Sequence, residues 1–180
     1  MRHIVAHLIR GEAGKAHENI TKDLTEKFQN FPLHNRIAPH ITLKRWFELD
    51  EKGMKELYEK LEEFACSHIQ TDYSLKGFGN FGDDVIFMDV KASREMMNAV
   101  SDLGKTLHTI QNLTFDEFDT NDGLHATVAF GSLKPFNFNE IWNYLATTSE
   151  PNFQMKLDNI TVMKREKDIW EIDRIFEIKP

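Results

Sequence analysis

Two four-residue segments, His40-Ile-Thr-Leu43 and His125-Ala-Thr-Val128, share one pattern and stand 85 positions apart. In an extended strand, residues i and i+2 project from one face while their neighbours project from the other. Each segment therefore sets an imidazole beside a hydroxyl and roots its opposite face in a core. The pattern around the segments repeats as well. A strand at 2–9, a helix at 13–28, a strand at 40–47, a helix at 51–66 and a strand at 70–78 form the first series. A strand at 85–90, a helix at 94–109, a strand at 124–130, a helix at 138–145 and a strand at 153–163 form the second, and a strand at 169–177 closes the chain. The helices rest on apolar residues at helical spacing, such as Ile20, Leu24 and Phe28, or Met54, Leu57, Tyr58 and Leu61. Ser93 is a plausible cap for the third. Gly79, Asn80, Gly82 and Asp83 read as the turn of a hairpin. The order implies one domain over 1–180 with an internal repeat of about 85 residues, Leu57 mapping near Trp142 and Ile69 near Phe153. Two similar lobes would then bring their motif strands face to face across a cleft.

With 180 residues, 41% hydrophobic and 28% charged, the chain can bury a sizeable core. Its apolar runs are too short to span a bilayer. His3 and His7 interrupt the N-terminal apolar stretch and no small-residue cleavage site follows, so no signal peptide is read. The single cysteine, Cys66, excludes a disulfide framework and a cysteine-rich zinc site. A cytoplasmic monomer with no membrane association is expected. The formal net charge of −7 argues against an extended nucleic-acid surface, which draws its affinity from many Lys and Arg contacts. A small basic patch could still hold a nucleotide, an RNA terminus or one phosphodiester.

Two imidazoles and two hydroxyls fit phosphodiester chemistry. Phosphoryl transfer needs a base for the attacking oxygen and an acid for the leaving one. An imidazole with an ordinary pKa near 6.5 can serve as either. Thr42 and Thr127 can donate to non-bridging phosphate oxygens. This set requires neither a metal nor an organic cofactor.

The segments Pro39-His-Ile-Thr-Leu-Lys44 and Leu124-His-Ala-Thr-Val128 resemble the paired HxTx signatures of the 2H phosphoesterase superfamily. The resemblance is nearest to the LigT-like RNA 2′,3′-cyclic phosphodiesterases, also called 2′-5′ RNA ligases. It extends to the turn Lys76-Gly-Phe-Gly79 and the closing hairpin around Ile160-Thr-Val-Met-Lys-Arg165. It implies a bilobal, duplicated α+β fold: two antiparallel sheets with outer helices around a central groove. It further implies that His40 gives a proton to the leaving oxygen, His125 activates water, and Thr42 and Thr127 bind phosphate. Many RNA-type relatives carry Arg five residues after the second histidine, where this chain has Phe130. The implied activity opens 2′,3′-cyclic phosphates to 2′-phosphates. The alternatives are 2′-5′ ligation, hydrolysis of another cyclic phosphate such as that of ADP-ribose, or non-catalytic binding of phosphorylated ends.

Other residues carry weaker signals. By alternation Lys44 and Trp46 share the face of His40 and Thr42, so Lys44 could touch phosphate and Trp46 could stack on a base or pack in the core. His3 and His7 share one face of the first strand, as groove lining or as a partly buried polar face. His34 and Arg36 could touch substrate or be solvated. His17, His68 and His108 read as helix-surface residues, and Cys66 as structural. No His-x-x-x-His helix motif or carboxylate triad supports a metal site.

Overall fold

In the computed structural model, residues 1–119, 123–130 and 137–180 are described. Among them the alternating segments become strands β1 (His3–Leu8), β2 (His40–Phe47), β3 (Thr71–Phe81), β4 (Val85–Ala92), β5 (His125–Phe130), β6 (Asn152–Leu157), β7 (Asn159–Glu166) and β8 (Ile169–Glu177). The amphipathic segments become helices α1 (Gly11–Phe28), α2 (Glu51–Ser67), α3 (Arg94–His108) and α4 (Phe138–Leu145). Three helix starts are fixed by side-chain caps. Asp50 accepts from the Gly53 amide, Ser93 from that of Met96 and Asn137 from that of Glu140.

The strands form two antiparallel four-stranded sheets, ordered β2-β1-β7-β8 and β5-β4-β3-β6. Together with the helices they make the duplicated α+β fold the sequence implies. One core fills the space shared by both sheets. Val5, Ile41 and Phe47 meet it from one side, and Leu75, Ile86, Met88, Ala126 and Val128 from the other. Strand β1 is buried on both faces, because Ile4, Ala6, Leu8 and Met163 form a second cluster beneath Ile37, Ala38 and Trp170. Among the described residues, no helix is long and apolar enough to cross a membrane.

The strand anticipated at 153–163 is in fact two strands in different sheets. Residues Asn152–Leu157 pair with β3, whereas Asn159–Glu166 pair with β1 and β8. The signal was a slip of phase: Phe153, Met155 and Leu157 alternate on odd positions, Ile160 and Val162 on even ones. As a result β3 and β6 are neighbours within one sheet, with Phe153 paired to Leu75.

Asn159 sits at this crossing and is fully buried. Its Oδ1 accepts from the Leu8 amide at 2.9 Å and from the Thr161 hydroxyl at 3.0 Å. Its Nδ2 donates to the Leu8 carbonyl at 3.1 Å and to Asp158 Oδ1 at 2.6 Å. Truncation would strand several buried polar groups at once, each worth about 1–3 kcal/mol. The variant Asn159→Ala should therefore lose on the order of 3 kcal/mol, read as a lower urea midpoint at unchanged slope. An unchanged midpoint would mean that these bonds contribute nothing net.

Candidate active site

Strands β2 and β5 each lie at one edge of their respective sheets, and these two edges approach each other. His40 is the first residue of β2 and His125 the first of β5. Their local geometry matches. His40 Nδ1 lies 2.9 Å from the Ala38 carbonyl, and His125 Nδ1 lies 2.6 Å from the Gly123 carbonyl. A carbonyl oxygen can only accept, so each Nδ1 carries a proton and donates it. That assigns the tautomer and leaves Nε2 of each ring as the nitrogen able to exchange protons.

Both imidazoles line one groove of about 790 Å³, and Thr127 lines it with them. The walls are aromatic and apolar: Phe31, Phe130 and Trp170, with Leu33, Ile37 and Val85. The Phe31 and Phe130 ring centroids are 5.0 Å apart. The charged wall residues are Arg36, Arg165 and Asp168. Arg165 is held by its Nη2 donating to Asp168 Oδ1 at 3.2 Å and its Nε to the Lys167 carbonyl at 3.1 Å. The Trp170 amide donates to the Arg36 carbonyl at 2.7 Å, tying β8 to the loop before β2. The chain is acidic overall, yet this groove carries a local basic pair.

Burial lowers both imidazoles below the ordinary histidine value. His40 falls to about 4, through desolvation first and the neighbouring His125 second, against the opposing effect of the Ala38 bond. His125 is lowered by desolvation, opposed by its bond to Gly123. Each works at the edge of a low-dielectric core that penalises the charged ring.

His17, read from sequence as a surface residue, is buried instead. Its Nε2 donates to the Thr127 carbonyl at 2.8 Å, anchoring α1 to the second motif strand. Burial lowers its pKa to about 4. The helical stripe Ala13, His17, Thr21, Leu24 places it on the inner face, a signal that its polarity concealed.

Three possible substrate contacts lie elsewhere. His7 is buried between the sheets, its Nδ1 donating to the Asn159 carbonyl at 3.1 Å and its Nε2 accepting from the Tyr73 hydroxyl at 2.9 Å. Lys44 does not share the face of His40 and Thr42. The β1–β2 register steps from Val5↔Lys44 to Ala6↔Thr42, so Leu43 is an extra residue and the alternation changes phase. Lys44 is turned inward, where its Nζ meets Asp119 Oδ2 at 2.8 Å, with the two side chains only 2% and 3% exposed. A second register shift follows towards Phe47, and Trp46 is exposed under the Arg2 guanidinium. Thr42 is half-buried and is not among the residues lining this groove. His3 is buried against Phe47, whereas Arg36 does reach the groove. Cys66 is exposed, and His68 and His108 stack on Phe64 and Phe115. Among the described residues, no group of three or more His, Cys, Asp or Glu could hold a metal ion.

Sequence reasoning did not single out Phe31, Trp170 or Arg165 as groove residues. Arg165 and Trp170 come from β7 and β8, which reach the groove only because β7 inserts beside β1. No local pattern in the sequence marks that insertion.

The family model of the 2′-5′ RNA ligase superfamily matches residues 13–169. No curated protein matches the sequence. Among solved structures, TT0787 of Thermus thermophilus is similar with TM-score 0.64 at 14% identity, over 99% of this chain and 98% of that one. E. coli LigT complexed with 3′-AMP is similar with TM-score 0.58 at 15% identity, over 99% and 98%. Kluyveromyces marxianus Usb1 is similar with TM-score 0.53 at 11% identity, over 98% of each chain. At these identities the three structures speak for the fold.

The histidine environments set a pH dependence of stability. His7, His17 and His40 are each lowered to about 4 in the folded protein, against about 6.5 when unfolded. The unfolded chain then binds more protons between those values. The stabilisation is complete above about pH 6.5 and is lost as pH falls towards 4. Urea titrations should show stability dropping across that window, and His17→Gln should flatten the slope. A slope unchanged by that substitution would contradict the burial effect at His17.

Proposed function

The chain belongs to the 2′-5′ RNA ligase superfamily, and on that premise we propose that it is a phosphodiesterase opening 2′,3′-cyclic phosphates of nucleotides or RNA ends to 2′-phosphates. The observation that carries the reading is the matched pair of imidazoles. Each donates from Nδ1 to the carbonyl two residues back, and both line one groove. The same match supports reading 1–180 as one domain with a duplicated half of about 85 residues.

In the proposed reaction His125 Nε2 takes a proton from water as the water oxygen attacks phosphorus. The bond from phosphorus to the 3′ oxygen breaks, and His40 Nε2 gives that oxygen a proton. The histidines end with exchanged protonation states, and solvent resets them. No metal or organic cofactor is needed for this exchange. Thr127, which lines the groove, would donate to a non-bridging oxygen, and Thr42, the matching residue of the first motif, would do so only for a phosphate that reaches past the groove lining. Arg36 and Arg165 would face the phosphate charge, and the lining residues Phe31, Phe130 and Trp170 would supply stacking surface to a base. The groove suits a small nucleotide or an RNA terminus, in keeping with the 3′-AMP named for E. coli LigT.

The depressed imidazoles bear on how the acid gets its proton. A cyclic phosphate carries one negative charge, and an anion within about 4–6 Å favours the imidazolium form. Substrate itself would thus restore the proton on His40.

Purified protein should open 2′,3′-cyclic nucleotides in the presence of chelator. His40→Ala and His125→Ala should each lose roughly a hundredfold or more. Thr127→Ala should lose less. Both limbs of the pH profile of kcat/KM, which reports the free enzyme, should lie on the acid side of those of kcat, which reports the complex. Retained binding without turnover would point to a binder of phosphorylated ends. Turnover only with added divalent metal would refute the mechanism.

A further inference from the structure

We propose that Phe81 and Phe87, seated by Gly79, are positioning residues that hold the His125 imidazole with its Nε2 towards the groove. The proposal rests on His125 being the working base of the second motif. The Phe81 ring, at the end of β3, meets the His125 ring at 4.8 Å with the planes 89° apart. The Phe87 ring, from β4, meets it at 5.1 Å and 51°. The two phenyl rings lie 4.6 Å from each other. A ring held by one hydrogen bond can still rock about that bond. Two rings at different inclinations remove this freedom by van der Waals contact. His40 has the equivalent carbonyl bond, but among the described residues the two-ring contact is recorded at His125.

The clamp needs the glycine at Gly79. Gly79 pairs with Phe87 across β3 and β4. A Cβ on Gly79 would sit 2.7 Å from Phe87 Cζ and closer still to Cε2, so the ring would have to leave its place. Gly123, whose carbonyl holds His125 Nδ1, adopts φ +86, and a Cβ there would touch Phe81 Cζ at 3.6 Å. At Gly79 a side chain would displace the Phe87 ring, whereas at Gly123 the contact would be ordinary and the positive φ is what favours glycine.

Of the charged and titratable groups around His125, Asp89 and Lys91 line one cavity with Phe81 and Phe87. Asp89 is its register partner on β4 and is ion-paired with Lys91. His17 bonds the Thr127 carbonyl from α1, and His40, Arg36, Arg165 and Asp168 share the groove. Phe81 and Phe87 carry no charge. Replacing them changes the orientation and desolvation of the imidazole and removes no charge from its surroundings. Burial is the main cause of the lowered His125 pKa, so loosening the clamp should let that value rise.

The test is an NMR titration of the His125 ring Cε1–H in the full chain, its signal assigned by loss in His125→Gln. The parent should show a ring-current-shifted signal titrating below about 6.5. In Phe87→Leu and in Phe81→Leu the shift should relax and the midpoint move up. Turnover of a 2′,3′-cyclic nucleotide should fall about tenfold or more in kcat, with KM within about twofold, since a misplaced base impairs the chemical step. Gly79→Ala should act the same way, and in a Phe87→Leu background it should add nothing, because both act through one ring. Should Phe87→Leu fail to fold, Phe81→Leu, at a ring 45% exposed, carries the test. An unchanged signal and midpoint in the folded variants would overturn the clamp. So would independent, multiplying losses for Gly79 and Phe87. The titration needs no substrate. A parent with a shifted, clamp-sensitive His125 signal and no turnover would sink the phosphodiesterase reading and leave the clamp standing.

Discussion

The architecture depends on two edge strands from different sheets approaching each other. Strands β2 and β5 each have a hydrogen-bonded neighbour on one side only, β1 and β4. An exposed edge invites unwanted pairing unless something covers it. Here each edge faces the other, and α1 adds the His17 bond to the Thr127 carbonyl. The first residue of each strand, where the ladder begins, is the motif histidine. Its ring bonds back to the carbonyl two residues earlier, which orients the imidazole before any substrate arrives.

The same arrangement divides the charged residues by function. Lys44 and Asp119 pair deep in the fold, where each would be costly alone. Arg165 and Asp168 remain at the groove, where solvent and ligand can reach them. With Arg36 beside that pair, a chain of net charge −7 still presents one excess positive charge at this groove. The hydrophobic walls strengthen any such contact by lowering the local dielectric.

Much of this was legible from residue pattern. The β2 and α4 segments, 40–47 and 138–145, coincide with the structure, because alternation at His40–Phe47 and a helical stripe at Phe138–Leu145 are strong local signals. The errors have local causes as well. A bulge at Leu43 reversed Lys44, because alternation assumes an unbroken ladder. The slip at Asp158 and Asn159 divided one apparent strand between two sheets. His17 looked solvated by type and proved buried by position.

The sequence by itself determined which residues could do chemistry, because strand alternation and side-chain type act over two or three residues. It presented two imidazoles, each beside a hydroxyl, at the start of two strands 85 positions apart. Only the tertiary structure decided which side chains meet them. Phe31, Phe130, Arg165 and Trp170 reach one groove through sheet order. Phe81 and Phe87 reach His125 through the β3–β4 and β4–β5 registers. These contacts join residues tens of positions apart, and packing of the shared core selects among the possible pairings. No periodicity along the chain encodes that selection.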